Sequence, residues 1–543
     1  MRTPLFAATA LLLATTSTTA FADTLVRNAN GVQVGKNGKL ERFTGLLIGD
    51  DGKVKRLLHG EMLKLGGDTR VVDAGGRTVL PGLIDAHGHV MALGFGALQL
   101  DLTGTTSIAD LQQRLKAYAA ANPQAKWILG RGWNQELWSD KRFPTAADLD
   151  AVVSDRPVWL GRVDGHASVG NGAALRAAGI TGQTRAPKGG RIENGLFVDA
   201  ATALVEDKIP APDAAAYDAG LAKAQELMLS NGLTAAADMG SSPDDWAAMN
   251  RAGRTGRLNV RILSYAGGIP AMRANKGKPS AWLYGDRLHQ GGVKLYADGA
   301  LGSRGAWLKA PYHDMPGTRG LSLISDVELA RQTSEAAANG FQLAIHAIGD
   351  AANAQVISAF ERLNQRYKGD RRWRIEHAQV LDVADLPRLA KARIIASMQP
   401  THQTSDRTMA EARLGPERLG GAYAWQTLAR SGVGLAFGSD FPVESPNPFP
   451  GLAAAVSRQD MSGQPAGGWR PQERVSFEQA LAGFTRGAAY AGFAEGKIGS
   501  LEPGKYADFI LVDRDVSQVA PVQLGRTQVL ETWVAGRKVW SKK

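Results

Sequence analysis

Short apolar runs alternate with longer amphipathic stretches throughout the middle of the chain. The runs, about six residues each, are typical of buried parallel strands, and stretches such as residues 326–339 and 350–367 are long enough for crossover helices. Eight βα units predict the α/β class and a (β/α)8 barrel of the TIM type rather than an open doubly wound sheet. We expect the strands at residues 78–85, 233–238, 260–265, 292–297, 342–346, 374–377, 394–398 and 434–437.

The two ends of the chain show a different pattern. Residues 24–80 contain short apolar runs broken by glycine, which are typical of small strands joined by turns, and a similar pattern returns at residues 507–512 and 529–540. Because the termini of a domain often lie close together, we expect residues 23–80 and 495–543 to form one discontinuous β-sandwich domain.

The barrel itself is expected over residues 81–494. Its first two strands are separated by the long gap of residues 90–231, which contains a further strand-like run at residues 157–163. A connection of this length exceeds any ordinary loop, so we expect an insertion after the first strand that packs over one face of the barrel.

Residues 1–22 have the features of a secretory signal peptide. Arg2 supplies a positive start, residues 5–15 form a short apolar run, and residues 20–22 (Ala-Phe-Ala) are typical of a cleavage site. The run is too short to span a bilayer, which requires about 20 residues, and no later stretch reaches that length. We therefore expect an exported protein, periplasmic or secreted, without a membrane span.

Composition narrows the class further. Hydrophobic residues make up 44% and charged residues 21%, which excludes global disorder. The formal net charge of +11 is distributed without blocks of like charge, so no nucleic-acid partner is expected. The chain has no cysteine, which excludes disulfides, thiolate metal sites and cysteine nucleophiles. A small-molecule substrate is expected, and a homo-oligomer stays open.

The first and fourth predicted strands carry polar residues suited to a barrel active site, because such sites gather at the carboxyl ends of the strands. His87 and His89 are two residues apart and lie on the same side of the first strand, so both imidazoles can reach one metal ion. Lys294 is embedded in the apolar fourth strand, where a buried ammonium is costly unless paired or modified. An ion pair with Asp298 or Asp440 is the alternative for Lys294.

Three other strand ends add candidate ligands. His346 ends the fifth strand and His377 the sixth, although either alone is better explained as an ordinary core or surface histidine. Asp440 follows the eighth strand and could equally cap a helix. The occurrence of these residues on successive strands is a stronger signal than any one of them.

This set of polar residues on successive strands resembles that of the amidohydrolase superfamily of metal-dependent hydrolases. The resemblance extends over nearly all of the chain after residue 22 and includes VLPGLIDAHGH at residues 79–89 and IGSLEPGKYAD at residues 498–508. Within the superfamily the chain is similar to the branch that contains N-substituted formamide deformylase. That similarity is carried by residues 163–166 (VDGH), 294–305 (KLYADGALGSRG), 399–402 (QPTH) and 438–443 (GSDFPV).

The resemblance implies a site for two divalent metal ions, which we expect to be Zn²⁺. The implied ligands are His87, His89 and Asp440 for one ion, His346 and His377 for the second, and Lys294 between them. Lys294 would be carboxylated, and its carbamate oxygens would bridge the ions. Asp440 would be the catalytic residue that takes a proton from the nucleophilic water and delivers it to the leaving group.

Further residues are candidates for substrate binding. They are His166, His402, Arg304, Asp298 and Trp133. The two histidines could contact the substrate, His166 together with Asp164, or could be ordinary hydrogen-bonded loop residues. Arg304 and Asp298 could meet an anionic substrate, although ion pairs explain them better. Trp133 could line the pocket or belong to a core.

The leading functional hypothesis is an enzyme that hydrolyses a carbonyl-type C–N bond, in an amide or a related compound, with a metal-activated hydroxide. One alternative is an ester or lactone hydrolase with the same site. Another is a mononuclear deaminase-like enzyme in which Lys294 is merely structural. A non-catalytic exported binding protein is less favoured, because all six ligand positions are filled.

Overall fold

The computed structural model describes residues 23–64, 66–162, 167–187 and 190–543. Within them the predicted (β/α)8 barrel is confirmed as an eight-stranded sheet whose neighbouring strands are all parallel. Its strands, in chain order, are β1 (Leu83–Gly88), β2 (Leu233–Ser241), β3 (Arg261–Gly267), β4 (Leu288–Tyr296), β5 (Gln342–Ala347), β6 (Arg374–His377), β7 (Ile395–Met398) and β8 (Gly434–Phe437).

The barrel closes in chain order. β1 to β8 are hydrogen-bonded in sequence, so each strand lies beside its successor. The segment after β8 then returns to β1, since the Asp440 amide donates to the His87 carbonyl over 2.7 Å. The eight carboxyl ends therefore meet at one mouth, where barrel enzymes place their chemistry.

The first predicted strand is divided into two. The sequence predicts one strand over residues 78–85, whereas the structure places Thr78–Pro81 in a separate sheet and starts β1 only after Gly82. The Gly82 amide donates to the Asp508 carbonyl over 2.8 Å, and a Cβ on Gly82 would lie 2.2 Å from Thr234 Oγ1. This close approach explains why glycine occupies the break between the two sheets.

Helices follow most barrel strands, as the amphipathic stretches predict. Those outside the insertion are Val90–Leu98, Ala214–Ser230, Pro243–Arg254, Gly268–Ala274, Asp326–Ala338, Asp350–Arg366, Leu386–Lys391, Pro400–Leu414, Trp425–Arg430, Pro448–Ser457, Phe477–Gly483, Arg486–Ala491 and Pro521–Gly525. Short 3-10 turns lie at Val383–Asp385, Pro416–Arg418 and Pro471–Glu473. Side-chain caps fix several helix starts; the Ser325 hydroxyl, for example, accepts from the Glu328 amide over 3.3 Å.

Two further sheets lie outside the barrel, one built from N-terminal strands alone and one from strands of both ends of the chain. A four-stranded sheet has the order Val54–Leu58, Gly45–Ile48, Thr24–Arg27, Arg70–Asp73, and a six-stranded sheet has the order Arg537–Ser541, Val529–Val534, Phe509–Val512, Thr78–Pro81, Asn30–Val34, Leu40–Phe43. Buried side chains from both sheets, including Leu46 and Phe509, form one apolar cluster. The predicted β-sandwich built from both ends is confirmed, and the boundaries at residues 23–80 and 495–543 stay predictions.

The long gap after β1 folds around a sheet of its own. Its strands have the order Gly190–Glu193, Leu196–Asp199, Ala167–Gly170, Val158–Arg162, Ile128–Trp133, Leu100–Asp101. Its helices are Ile108–Ala121, Ala146–Asp150, Gly172–Ala177 and Ala203–Glu206, with a 3-10 turn at Gln135–Leu137. Trp133 and Trp138 lie in the apolar cluster of this insertion. Its packing over one barrel face stays a prediction.

A buried ion pair connects the barrel to the C-terminal strands. Arg261 opens β3, and its guanidinium donates to both carboxylate oxygens of Asp508, over 2.6 and 3.0 Å. The two side chains are only 1% and 3% exposed. Asp508 also accepts from the Ala535 amide over 2.8 Å, so one carboxylate ties β3 to the final hairpin.

The predicted signal peptide, residues 1–22, lies outside the described residues. Among the residues that the structure describes, no helix has the length and apolar character that crossing a membrane would require. Export therefore stays a prediction from the sequence.

Candidate metal centre

Polar side chains from four strands and one loop meet at the mouth of the barrel. The predicted ligands His87, His89, Lys294, His346, His377 and Asp440 all line one cleft of about 320 Å³. β1, β4, β5 and β6 supply His87, Lys294, His346 and His377, while His89 directly follows β1 and Asp440 lies in the loop after β8. The barrel topology therefore brings together residues that are far apart in the chain.

His87 and His89 both face Asp440, as their spacing predicts. The Nε2 atoms of His87 and His89 lie 3.5 and 3.1 Å from Asp440 Oδ1. Oδ1 is buried and accepts no hydrogen bond from the described residues. A buried carboxylate oxygen that faces two imidazole nitrogens without a hydrogen bond fits a site for a divalent cation.

A buried acid fixes the orientation of His87. His87 Nδ1 lies 2.6 Å from Glu376 Oε2, and both side chains are fully buried. Arg374 binds the other Glu376 oxygen over 2.7 Å and holds the pKa of this carboxyl well below its usual range despite burial. An ionised Glu376 favours the Nδ1–H tautomer of His87, which leaves Nε2 as a ligand atom.

His377 is oriented in a similar way. Its Nδ1 lies 2.8 Å from Gln399 Oε1, and its ring centroid lies 4.5 Å from that of His346 and 4.7 Å from that of His87. Its φ of 74° is left-handed, which is uncommon for a residue with a side chain and is found preferentially at functional sites. Asp440, with a φ of 61°, shares this feature.

The three buried imidazoles favour the neutral form that binds metals. Burial, with Lys294 nearby, lowers the pKa of His87 to about 4 and that of His346 to about 3. Burial, with His346 nearby, also lowers the pKa of His377. Burial would raise the pKa of Asp440, but the adjacent imidazoles outweigh it and hold that pKa well below its usual range. Neutral imidazoles around an ionised carboxylate are a typical donor set for Zn²⁺.

Lys294 lies at the centre of the site. Its side chain is 1% exposed, and its Nζ lies 3.2 Å from His87 Nε2 and 4.9 Å from the centre of the Tyr296 ring. Among the described residues Nζ forms no ion pair, so the structure does not form the alternative pairing with Asp298 or Asp440. Burial lowers the pKa of this amine to about 8.

The tightest group of donor atoms joins both predicted ligand sets. One atom each from His87, His377 and Asp440 lies within 4.8 Å of the others, and all three residues are buried. The resemblance places His87 and Asp440 on one ion and His377 on the other. The residues therefore fit a metal site, and the donor set suits divalent cations of the zinc type.

The candidate substrate residues separate into two groups. His402 lines the cleft, with Nε2 3.9 Å from Asp440 Oδ2 and its ring stacked over that of His377 at 6.1 Å. Its Nε2 is buried and has no hydrogen-bond partner among the described residues. His166 and its neighbour Asp164 lie outside the described residues.

The other candidates do not line the cleft. Trp133 is fully buried in the insertion, where its Nε1 donates to the Leu160 carbonyl over 2.8 Å. Arg304 pairs with Asp314 over 2.9 Å. An ion pair is the explanation that the sequence favours for Arg304, and the structure contains one.

Asp298 binds backbone amides of the loops at the mouth of the barrel. Its carboxylate accepts from the amides of Trp307, Ile348 and Gly349 over 2.8–3.0 Å, and it lies 3.4 Å from His346 Nε2. Burial raises its pKa to about 7. Asp298 therefore fixes loop backbone beside His346 instead of lining the cleft.

Sequence reasoning missed Glu376, Gln399 and Asp406. Glu376 directly precedes His377, and Gln399 directly follows β7, so a search for polar residues around each strand end would have found both. Asp406 lies one helical turn after His402 on the helix Pro400–Leu414, and that spacing is the signal that could have found it.

Comparison with known proteins identifies the family. The model of the amidohydrolase family matches residues 70–540. The chain is 32% identical to the protein LONG AFTER FAR-RED 3 of Arabidopsis thaliana, over 96% of this chain and 88% of that protein. It is 27% identical to the N-substituted formamide deformylase of Arthrobacter pascens, over 86% and 89% of the two chains.

A solved structure agrees with the fold. The crystal structure of an uncharacterized metal-dependent hydrolase from Pyrococcus horikoshii matches with a TM-score of 0.80 and 28% identity, over 92% of this chain and 99% of that one. The family match, the barrel and the histidine–carboxylate cluster lead to one conclusion. The chain belongs to the amidohydrolase family and is a metal-dependent hydrolase of that superfamily.

Proposed function

We propose that the protein is an exported dinuclear hydrolase of a carbonyl-type C–N bond in an amide-like small molecule. The observation that carries the proposal is the convergence of four histidines, Lys294 and Asp440 on one cleft. His87, His89 and Asp440 would hold one divalent ion, and His346 and His377 the other. The similarity to a deformylase favours a C–N bond over an ester or a lactone.

Lys294 would join the two ion sites as a carbamate. The neutral amine would attack dissolved CO₂, so that an N–C bond forms and one proton leaves to solvent. The product is an anion whose two oxygens are ligands for Zn²⁺. Its negative charge would replace a buried amine that forms no ion pair with the described residues.

The protein's own groups would orient the reaction. Bound divalent ions would supply an activated water and polarise the scissile carbonyl. Asp440, ionised and 3.1 Å from His89 Nε2, would accept the proton of that water and return it to the leaving nitrogen. His402 would donate to the oxygen of the substrate, since its Nε2 has no partner among the described residues.

Metal analysis and turnover on the same sample test the proposal. Metal-reconstituted protein would be assayed against matched N-formyl, N-acyl, cyclic-amide and lactone compounds, with bound metal measured by mass spectrometry. We expect about two ions per chain and turnover of at least one amide class. His377→Asn should lose one ion and most of the activity, whereas His313→Asn, at an exposed histidine outside the cleft, should lose neither.

Other outcomes would reject parts of the proposal. One ion per chain with an active Lys294→Ala variant would support a mononuclear deaminase-like site. Hydrolysis of lactones alone would move the bond from C–N to C–O. No turnover of any compound by protein that holds two ions would favour a binding protein. Export is tested separately by N-terminal sequencing, where a retained Met1 would reject the signal peptide.

A further inference from the structure

The cleft contains a second polar group that the proposed metal chemistry does not use. Asp406 lies on the helix Pro400–Leu414, four residues after His402, and lines the same cleft as the candidate ligands. Four residues of helix rise about 6 Å. Residues four apart lie on the same face of a helix, so Asp406 lies one helical turn along the axis from His402, on the same side of the helix.

One oxygen of Asp406 is anchored and the other is free. Oδ2 accepts from Gln379 Nε2 over 3.0 Å and from the Tyr423 hydroxyl over 2.9 Å. Burial, with Asp406 nearby, raises the pKa of Tyr423, so the phenol stays a donor. Oδ1 accepts no hydrogen bond from the described residues. A carboxylate that is oriented through one oxygen and open through the other is placed to accept a hydrogen bond from a ligand.

The charges around the cleft favour a cationic ligand at this end. Apart from Lys294 at the metal centre, the described residues that line the cleft include no lysine or arginine, whereas they include the acids Asp406 and Glu444. Arg407, the next residue on the helix, does not neutralise the charge of Asp406, because its guanidinium pairs with Asp460 over 3.4 Å.

Several apolar side chains also line the cleft and lower the local polarity around that charge. Leu301, Ile348, Met409 and Val443 line the cleft with Asp406. In such surroundings the attraction between an ammonium and a carboxylate is stronger than in open water. The desolvation cost of an unpaired ammonium, and the repulsion between two carboxylates, are larger as well.

We propose that Asp406 is a specificity-determining residue that selects amide substrates whose remote end carries a protonated amine. The substrate ammonium would donate to Asp406 Oδ1 while the scissile carbonyl lies at the metal centre. Substrates that end in a carboxylate would be repelled by Asp406 and Glu444. This inference rests on the proposed function for turnover, but its binding component can be measured without turnover.

Three N-formyl amines with the same polymethylene spacer test the proposal in zinc-reconstituted protein. They are the monoformyl derivative of diaminobutane, with an ammonium end, N-formylpentylamine, with a methyl end, and N-formylaminopentanoate, with a carboxylate end. We expect kcat/KM to fall by about tenfold from the ammonium to the methyl compound, and again to the carboxylate compound.

Asp406→Asn separates recognition from structure. Asparagine keeps an oxygen for Gln379 and Tyr423 but removes the charge, so the ratio of kcat/KM for the ammonium compound to kcat/KM for the methyl compound should fall from about ten to about one. Asp244→Asn, at an exposed aspartate outside the cleft, should retain the preference. A preference that survives in Asp406→Asn would overturn the proposal.

Calorimetry with a free amine and its uncharged analogue tests the role of Asp406 independently of catalysis. Pentylamine, which is protonated near neutral pH, should bind the zinc-loaded protein about tenfold more tightly than 1-pentanol, which has the same chain without the charge, and this comparison needs no variant. Equal binding would overturn the role of Asp406. If the methyl compound is hydrolysed without any advantage for the ammonium compound, the proposed function stands and this inference fails. If no compound is hydrolysed while pentylamine binds selectively, the inference stands and formamide hydrolysis fails.

Discussion

Glu376 Oε2 lies 2.6 Å from His87 Nδ1, in a contact that is fully buried on both sides. Arg374, two residues earlier on β6, binds the same carboxylate and also donates to the Ala86 carbonyl on β1 over 2.6 Å. One strand therefore supplies both the acid that orients His87 and the cation that keeps this acid ionised. The orientation of the His87 ring, a candidate metal ligand, is thus set by Glu376, which contacts it at Nδ1, and by Arg374, which binds that carboxylate.

Glu376→Gln should weaken metal binding and, like any loss of one charge from a buried ion pair, should also lower the unfolding free energy. The amide can still contact His87, but it lacks the charge that favours the Nδ1–H tautomer, and it leaves Arg374 without its counter-charge. We expect zinc affinity to fall by about 10- to 100-fold, measured by competition with a chelator. Glu335→Gln, in a partly exposed pair with Arg273, is the matched control. Unchanged affinity in Glu376→Gln would reject the orienting role.

Carbamate formation on Lys294 should depend on pH. Because burial lowers the pKa of this amine to about 8, the neutral fraction that attacks CO₂ increases as the pH rises through that value. At constant dissolved CO₂, the ¹³C carbamate signal of metal-free protein should grow between about pH 7 and pH 9. Lys294→Ala should lack the signal, and Lys309→Ala, whose lysine pairs with Asp382 and Asp385, should retain it.

The carbamate prediction has a clear contrary result. Full activity and two bound ions in a protein without any carbamate signal would leave Lys294 as an ordinary buried amine. Rescue of Lys294→Ala by a short carboxylic acid would support the bridging role, because the acid replaces the missing oxygens.

The strands that carry His346 and His377, and the strand that precedes Asp440, could be predicted from the sequence. The apolar runs of β5 and β8 end next to polar residues, whereas β6 (RIEH) is short and mostly polar, and the topology of a parallel barrel brings the three strand ends together. β6 and β8, at Arg374–His377 and Gly434–Phe437, have the predicted bounds. Periodicity is most informative for strands that are buried on both faces, because their apolar runs are continuous.

Glu376 shows where the pattern stops being informative. Regular alternation would send Glu376 and His377 to opposite faces of β6. Both nevertheless contact the His87 ring, because His377 has a left-handed φ of 74° that ends the alternation. A left-handed φ at a histidine cannot be predicted from the residue type. The division of the first predicted strand at Gly82 has a similar cause, since it depends on a contact with Thr234 from a distant strand.

Asp508→Asn should destabilise the whole protein. It removes one charge of the buried pair with Arg261 and leaves the guanidinium uncompensated, which costs about 3–5 kcal/mol of unfolding free energy. Urea unfolding measures the effect. Asp513→Asn removes a partly exposed pair with Arg514 and should cost about 1 kcal/mol or less. Equal losses in the two variants would mean that the barrel and the C-terminal strands are not coupled through Arg261.

Trp133→Phe should affect stability and not substrate recognition. Its Nε1 donates to the Leu160 carbonyl within the insertion core, so the variant removes a buried hydrogen bond and part of a buried ring and should lower the unfolding free energy by about 1–3 kcal/mol. We expect kcat/KM to stay within about twofold. Trp138→Phe, whose indole donates to the Thr105 carbonyl, should behave alike. A large fall in kcat/KM of Trp133→Phe alone, with stability retained, would return Trp133 to the substrate site.

His402→Gln should separate substrate contact from metal binding. His402 Nε2 lies 3.9 Å from Asp440 Oδ2 and is buried without a partner among the described residues, so it is available to the substrate. If it donates to the developing oxyanion, the variant should lose about 100-fold in kcat/KM while bound metal is unchanged. Steady-state kinetics and metal analysis on one sample distinguish the two roles, with His313→Gln as the exposed control. Loss of an ion in His402→Gln would instead make His402 a ligand, and the dinuclear site would then have a different donor set from the one that the resemblance implies.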